Sequence, residues 1–175
     1  MSTETQEKGP ETQEEMEMGT KPTKEHEWLK KLVGNWRTET EMMMPDGTKA
    51  NAQGTETVTM LGDLWAIGEG KGEMPDGTTM EYRSGMGYDV SFKQYRGFWV
   101  ASMSSHLWKY ECELSPDGKK LTMNCVGPDM MKDGETANYR DIIEFQDDNH
   151  RTLTSSGQQE NGEYQQFMKT SYTKV

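Results

Sequence analysis

A series of turn signals, recurring between short runs of alternating polarity, constrains this chain more than any other feature. Pro-Asp-Gly occurs at 45–47, 75–77 and 116–118, and Lys-Asp-Gly occurs at 132–134. Proline sets the first dihedral of a turn, and Asp-Gly tolerates the positive φ of a tight hairpin. Turn signals at this spacing predict short antiparallel strands that follow one another along the chain.

The segments between the turn signals predict ten strands. They lie near 35–44, 49–60, 65–74, 79–88, 92–102, 106–114, 119–126, 135–145, 150–156 and 164–173. A meander of this length can close on itself, and closure removes its two exposed edges. We therefore expect an all-β fold, a closed antiparallel up-and-down barrel of about ten strands. A two-sheet sandwich is the alternative, because strand count alone does not establish closure.

One short helix is predicted before the first strand, over 24–33. Four apolar residues fall on one face of it: Trp28, Leu29, Leu32 and Val33. That spacing is typical of a helix with a single buried face. Thr23 is suited to the N-cap, and Gly34 is suited to end the helix. We expect this helix to cap one end of the barrel.

The first residues of the chain differ in composition from the rest. Through residue 27 there are eight acidic residues and three lysines, with no aromatic, valine or isoleucine side chain. Such a segment cannot bury enough apolar surface to offset the entropy lost on ordering. The composition predicts a disordered acidic tail over 1–23 and a barrel domain over 24–175.

The charge of the chain disfavours some partners. The formal net charge is -11, and no cluster of lysine and arginine interrupts it. A negative surface repels phosphate backbones and anionic membranes, so we expect neither as a partner.

The chain has no run of about 18 apolar residues and no secretory signal. We expect a cytoplasmic protein with reduced thiols at Cys112 and Cys125. The sequence carries no signal for an oligomeric state.

Alternation is clearest at 106–114. The predicted inward face carries His106, Trp108, Tyr110, Cys112 and Leu114. Pairing through the turn at 116–118 places Leu114 opposite Leu121 and Cys112 opposite Met123, which keeps both strands apolar inside. Cys112 then lies diagonal to Cys125, too far for an easy disulfide.

The other strands give further inward sets. These are Trp36, Thr38, Thr40 and Met42; Glu56, Val58 and Met60; Trp65, Ile67 and Glu69; and Tyr82, Ser84, Met86 and Tyr88. The phase of 135–145 is open. One phase turns Tyr139, Asp141, Ile143 and Phe145 inward, and the other turns Asn138, Arg140 and Ile142 inward.

The alternating glycines at 68, 70 and 72 have no strand-to-helix context for a phosphate loop, and we expect them to bend the sheet.

A barrel of about ten strands is wide enough to leave an internal cavity. We expect this cavity to bind a small, partly hydrophobic molecule without covalent chemistry. The residues predicted to line it are Trp36, Glu56, Glu69, Tyr88, His106, Trp108, Tyr110 and Arg140. A buried carboxylate needs a partner or a wet cavity. The alternatives are that Glu56 or Glu69 pairs with an arginine at the barrel rim, or that the predicted phase of its strand is shifted by one residue.

His106 is the candidate for chemistry. As a general acid or base it would act with Glu56 or Glu69, which would make the protein a small enzyme. As an axial ligand it would hold haem, and as a structural residue it would hydrogen-bond at the barrel mouth. The histidines and cysteines have no zinc spacing, and the dispersed methionines are typical of core filling. We expect no metal and no cofactor, and we favour binding over catalysis.

Two resemblances support the fold. The helix followed by Gly34-Asn35-Trp36 resembles the Gly-x-Trp start of lipocalins and their calycin relatives, in which the helix closes one end and the Trp packs beneath it. The chain also resembles a bacterial family known as domain of unknown function 1579, over about residues 25–173. The segments that carry this resemblance are LVGNW at 32–36, GTETV at 54–58, LWAIGEG at 64–70, GYD at 87–89, SHLW at 105–108, YRDIIE at 139–144 and DNHRTLTSS at 148–156. It implies a calycin-like barrel and no particular activity.

Overall fold

The computed structural model describes residues 19–44 and 46–175. One α-helix, α1 (Lys24–Leu29), continues into a 3-10 turn at Lys30–Leu32. Thr23 is its N-cap, as predicted, and the Thr23 backbone N–H donates to Nδ1 of His26 at 2.9 Å. Residues 1–18 of the acidic tail predicted over 1–23 lie outside the described residues.

Ten strands follow the helix. They are β1 (Gly34–Met43), β2 (Lys49–Leu61), β3 (Trp65–Glu73), β4 (Thr79–Asp89), β5 (Gln94–Ala101), β6 (Ser104–Leu114), β7 (Lys120–Pro128), β8 (Thr136–Phe145), β9 (His150–Gln158) and β10 (Tyr164–Lys174). Each strand begins and ends within two residues of its predicted position. The turn signals and the alternation were therefore sufficient to locate every strand.

The sheet is a closed barrel. Each strand pairs antiparallel with the next, and β1 pairs with β10 from Trp36 opposite Lys174 to Met42 opposite Met168. This confirms the barrel, and the sandwich alternative is wrong. Closure leaves no edge strand in the sheet. The pairing of β6 with β7 covers only residues 111–114 and 121–124.

The turn signals form the predicted hairpin turns. The glycine of each signal has positive φ, from 68° to 83°, at Gly47, Gly77, Gly118 and Gly134. The Gly77 N–H donates to the Met74 carbonyl at 2.9 Å, which closes a four-residue turn. Only glycine adopts this backbone conformation without steric cost, so the position of each turn is defined locally.

The helix caps one end of the barrel, as predicted. Its apolar face is buried, and Trp36 is fully buried beneath it. The indole N–H of Trp36 donates to the Leu32 carbonyl at 2.9 Å, and that of Trp28 donates to the Gly118 carbonyl at 2.8 Å. Each buried side chain of this size contributes about 1.5–3 kcal/mol, so the cap is firmly fixed.

The phase predicted for 106–114 is confirmed. Leu114 lies opposite Leu121, and Cys112 lies opposite Met123. Cys112 and Cys125 are buried and unbridged, as the register predicted. Burial raises the pKa of Cys125 to about 12. The two thiols therefore belong to the packed interior.

The phase predicted for β3 is wrong. The residues that face inward are Ala66, Gly68 and Gly70. Trp65 lies on the outer surface against Gly87, and Ile67 pairs with Gly85 on the same face. Glu69 is exposed beside them. On the outer face of β3, the bulky residues cover the glycine backbone of β4. The inner face carries only small residues, so the pattern of large apolar side chains predicted the opposite phase.

Candidate functional site

The barrel contains an internal cavity of about 90 Å³. Ligand pockets commonly measure about 300–1,000 Å³, so this one would hold only a few heavy atoms. Its walls combine apolar side chains with converging polar groups. The polar and aromatic lining residues are Glu56, Tyr82, Ser84, Phe98, Trp99, Tyr110, Asp141, Arg151 and Tyr172.

A buried ion pair joins β2 to β9 across this interior. Nη2 of Arg151 donates to Oε1 of Glu56 at 2.5 Å, and the two side chains are 4% and 7% exposed. The hydroxyl of Tyr82 donates to the other carboxylate oxygen of Glu56 at 2.8 Å. Since both oxygens have partners, the cost of burying the Glu56 charge is compensated.

Aromatic rings hold the guanidinium of Arg151. Its central carbon lies 3.8 Å from the centroid of the Tyr172 ring and 4.8 Å from that of Trp36. These contacts add cation–π attraction to the ion pair. Nε of Arg151 has no hydrogen-bond partner among the described residues. The guanidinium of Arg151 is therefore held by one hydrogen-bonded nitrogen and by the aromatic rings on which it packs.

The glycines of β3 make room for the polar cluster. A Cβ added to Gly70 would lie 2.0 Å from the Tyr82 ring, and one added to Gly68 would lie 2.4 Å from Oγ of Ser84. Bare backbone at these positions lets Tyr82 lie across β3 and reach Glu56. We expected these glycines to bend the sheet, and the role that the structure shows for Gly68 and Gly70 is to provide space inside it.

Asp141 is a second carboxyl group in the cavity wall. The Tyr110 hydroxyl donates to Oδ2 of Asp141 at 2.9 Å, and Ser155 hydrogen-bonds to the same side chain. Burial raises the pKa of Asp141 above its usual 3.8, although these two hydrogen bonds act in the opposite direction. Burial also raises the pKa of Tyr110, so its phenol is a neutral donor.

Three predicted site residues take part in this arrangement. Glu56 and Tyr110 line the cavity, and Trp36 contacts the guanidinium of Arg151 from beneath the helix. The prediction that Glu56 faces inward is confirmed by its 6% exposure. The alternative interpretation was that Glu56 pairs with an arginine at the barrel rim. Glu56 does pair with an arginine, but the pair lies in the interior.

Two other predicted residues lie at opposite ends of the barrel. Tyr88 packs under the helix, with its ring centroid 5.8 Å from that of His26. Trp108 lies at the end away from the helix, edge-on to His106 at 4.9 Å and to Tyr139 at 5.2 Å. Neither lines the cavity.

The prediction of inward positions for Glu69 and Arg140 is wrong. Glu69 lies on the outer surface, with Oε1 3.6 Å from Nε of Arg83. Arg140 also points outward, where it stacks on the Tyr164 ring at 3.9 Å and donates to Asn124 at 3.1 Å. The other phase of 135–145 is the one that β8 adopts, with Asp141 inside.

His106 lies at the mouth away from the helix. Its Nε2 is 3.4 Å from the Val126 carbonyl oxygen. Within the described residues, no hydrogen bond or ion pair joins His106 to a carboxylate. The acid–base pair with Glu56 or Glu69 therefore does not form in this structure. The cavity is far smaller than a porphyrin, so haem binding stays a hypothesis for the mouth alone.

Sequence reasoning did not assign Arg151 or Tyr172 to the site. It left Asp141 inward in one of two possible phases of 135–145, and it placed Tyr82 inside without a role. One signal could have found Arg151. A buried Glu56 requires a cation inside, and β9 alternates Arg151, Leu153 and Ser155 on one face. Among the described residues, no three His, Cys, Asp or Glu side chains lie together as metal ligands.

A closed ten-stranded antiparallel barrel with one end capped by a helix is a calycin-like barrel. The chain belongs to the family described as protein of unknown function DUF1579, whose model matches residues 21–174. This match confirms the resemblance to that family. No match to the chain was found among curated proteins.

Solved structures share the fold. The S-type phycobiliprotein lyase CPES from Guillardia theta is similar with a TM-score of 0.57 and 11% identity, over 85% of this chain and 91% of that chain. Rv2717c from M. tuberculosis is similar with a TM-score of 0.59 and 8% identity, over 87% of this chain and 98% of that chain. At such identities the likeness concerns the fold alone.

Within the described residues, α1 has six residues and no helix has the length and apolarity of a membrane span.

Proposed function

We propose that this protein is a binding barrel for a small molecule, held in the cavity between the Glu56–Arg151 pair and Asp141. The observation that carries the proposal is the cavity itself, which combines apolar and aromatic walls with a few converging polar groups. That combination is the usual form of a small-molecule site, because the walls supply affinity and the polar groups supply orientation.

The polar groups offer defined contacts to an occupant. Oγ of Ser84 is a donor in the wall, and Asp141 is an acceptor. The two thiols offer no nucleophile, because burial raises the pKa of Cys112 and of Cys125 and keeps both protonated. These features favour binding without covalent chemistry.

Access is proposed from the end away from the helix. There the rings of His106, Trp108, Tyr139 and Phe167 form an edge-to-face row along the mouth. The opposite end is closed by the cap. His106 and Trp108 would therefore contact a molecule on its way in. The unbridged thiols of Cys112 and Cys125 favour a cytoplasmic location.

Filling the cavity tests the proposal. The Ala66→Leu substitution adds bulk to the cavity wall, whereas Thr59→Leu adds a side chain of the same size to the outer face of the neighbouring strand. Small alcohols, amines and carboxylates would be titrated while tryptophan fluorescence and melting temperature are followed. We expect saturable binding by the wild type and Thr59→Leu, and its loss in Ala66→Leu. Equal binding by all three proteins would overturn the proposal.

A further inference from the structure

We propose that the cavity selects a small organic cation, with the carboxylate of Asp141 as its counter-charge. This inference rests on the proposed binding function and adds the chemical class of the occupant. It follows from the charges that the cavity holds, the contacts that satisfy them, and the rings around them.

The Glu56–Arg151 pair leaves no net charge for an occupant. Both oxygens of Glu56 are taken, one by Arg151 and one by the Tyr82 hydroxyl. The guanidinium of Arg151 also packs on the Tyr172 ring. An anion entering the cavity would compete with a carboxylate already bound to Arg151, and it would meet Asp141 as a second negative group.

Asp141 is the one carboxyl group of the cavity wall that has no cation. Its partners are the hydroxyls of Tyr110 and Ser155. Within residues 19–44 and 46–175, no lysine, arginine or histidine forms an ion pair with it. Burial opposes its ionised form, and an occupant with positive charge would offset that cost. The cavity wall therefore holds a carboxyl group that has no counter-charge among the described residues.

The aromatic lining suits a cation as well. The rings of Tyr82, Trp99 and Tyr110 line the same cavity as Asp141. The negative faces of aromatic rings attract ammonium groups, and the attraction grows when water is excluded. The volume of about 90 Å³ restricts the occupant to a short chain. A primary amine with a few carbons fits both the charge and the size.

Probes that differ mainly in charge test this inference. The wild type would be titrated with n-propylammonium, n-propanol and propionate at constant ionic strength, by calorimetry and tryptophan fluorescence. We expect n-propylammonium to bind at least about tenfold more tightly than the other two, since a buried charge pair discriminates by that order. Equal affinity for n-propanol, or a preference for propionate, would overturn the inference.

The Asp141→Asn substitution tests the assigned residue. It removes the charge and keeps the shape, and Glu144→Gln makes the same change on the outer face of β8. We expect Asp141→Asn to lose the preference for n-propylammonium, with n-propanol affinity unchanged, and Glu144→Gln to keep it. Retention of the preference in folded Asp141→Asn would contradict the assignment.

A pH series on the wild type needs no variant. The affinity for n-propylammonium should rise as pH increases through the pKa of Asp141 and then level off, because the carboxylate is the binding form. The other titratable or charged groups that face it are Tyr110, Tyr172, Cys112, Cys125, Glu56 and Arg151. Burial raises the pKa of each phenol and thiol among them, which keeps these groups neutral. A flat profile would contradict the inference.

The two proposals fail in different ways. If n-propanol or propionate binds and Ala66→Leu abolishes that binding, the binding function holds and the choice of a cation is wrong. If all three probes bind Ala66→Leu as well as the wild type, the cavity is not the site, and both proposals are wrong.

Discussion

Two pairs of glutamate and arginine, on neighbouring parts of the barrel, have the same chemistry in opposite environments. Glu56 and Arg151 face the interior, with side chains 7% and 4% exposed. Glu69 and Arg83 face solvent, with side chains 64% and 49% exposed. The nitrogen–oxygen distances are 2.5 Å inside and 3.6 Å outside.

The difference shows that location, and not residue type, decides what a charged pair does here. Moving an ion into a protein interior costs several kcal/mol, so Glu56 and Arg151 depend on each other and on Tyr82. An exposed pair contributes about 0–1 kcal/mol, because water and salt screen it. Only the buried pair can therefore organise a binding site.

Removing the buried cation should have the largest effect. Arg151→Met leaves Glu56 buried without a counter-charge, and we expect a loss of about 3–5 kcal/mol in the free energy of unfolding. Urea denaturation followed by circular dichroism would measure it. Arg83→Met is the matched control, with an expected change within about 1 kcal/mol.

The same pairs allow a double-mutant comparison. Adding Glu56→Leu to Arg151→Met removes the isolated charge and should restore most of the lost stability. Glu69→Leu added to Arg83→Met should restore little. Similar coupling energies for the two pairs would contradict the contrast between inside and outside.

Removing one hydroxyl should have an intermediate effect. Tyr82→Phe takes away the hydrogen bond to Glu56 and leaves a buried carboxylate oxygen without a donor. A hydrogen bond to a charged group contributes about 1.5–3 kcal/mol, and we expect a loss in that range. Tyr164→Phe, on an outward ring that stacks with Arg140, should lose less than half as much in the same urea titration.

A methyl group on the inner wall should act through steric contact. In Gly70→Ala the new Cβ would overlap the Tyr82 ring, and overpacking of this kind costs about 1–3 kcal/mol. Gly72→Ala is the control on the same strand, where the nearest atom would lie 3.6 Å away. If both variants lower the melting temperature to the same extent, the glycines of β3 stabilise the protein through their backbone conformation and not through the space that they leave for Tyr82.

The smallest expected effect is a gain in stability. Because the pKa of Asp141 is raised in the folded state, the folded protein binds more protons than the unfolded chain between the two pKa values. Stability therefore falls as pH rises through that window. Asp141→Asn should be more stable than the wild type at neutral pH, and this difference should vanish in acid. Unfolding at a series of pH values measures it, with Glu144→Gln on the outer face of β8 as the matched variant.

The contrast between strands explains how far the sequence predicted the structure. In β6, charged residues alternate with large apolar ones, so both faces were evident and the register followed. In β3 the inner face is Ala66, Gly68 and Gly70, which carry little hydrophobic signal, and Trp65 lies outside. The sequence predicted the alternation of β3 correctly, but it predicted the outer face to be the inner one.

The site was predicted less completely than the fold, for a related reason. Glu56, Trp36 and Tyr110 were found because their strands carried apolar neighbours in phase. Arg151 was missed because an arginine in a strand is usually exposed, and its burial depends on a partner 95 residues away in the chain. A contact of that kind becomes evident only when closure of the barrel brings β2 and β9 to face each other.

The most direct test of a binding cavity uses the methyl groups of methionine as probes in nuclear magnetic resonance. Met86 and Met123 line the cavity, whereas Met103 and Met130 are 61% and 63% exposed. Titration with n-propylammonium should shift the Met86 and Met123 signals in a saturable way and leave the exposed methionines unchanged. Shifts confined to Met103 and Met130, or shifts that never saturate, would contradict an internal binding site.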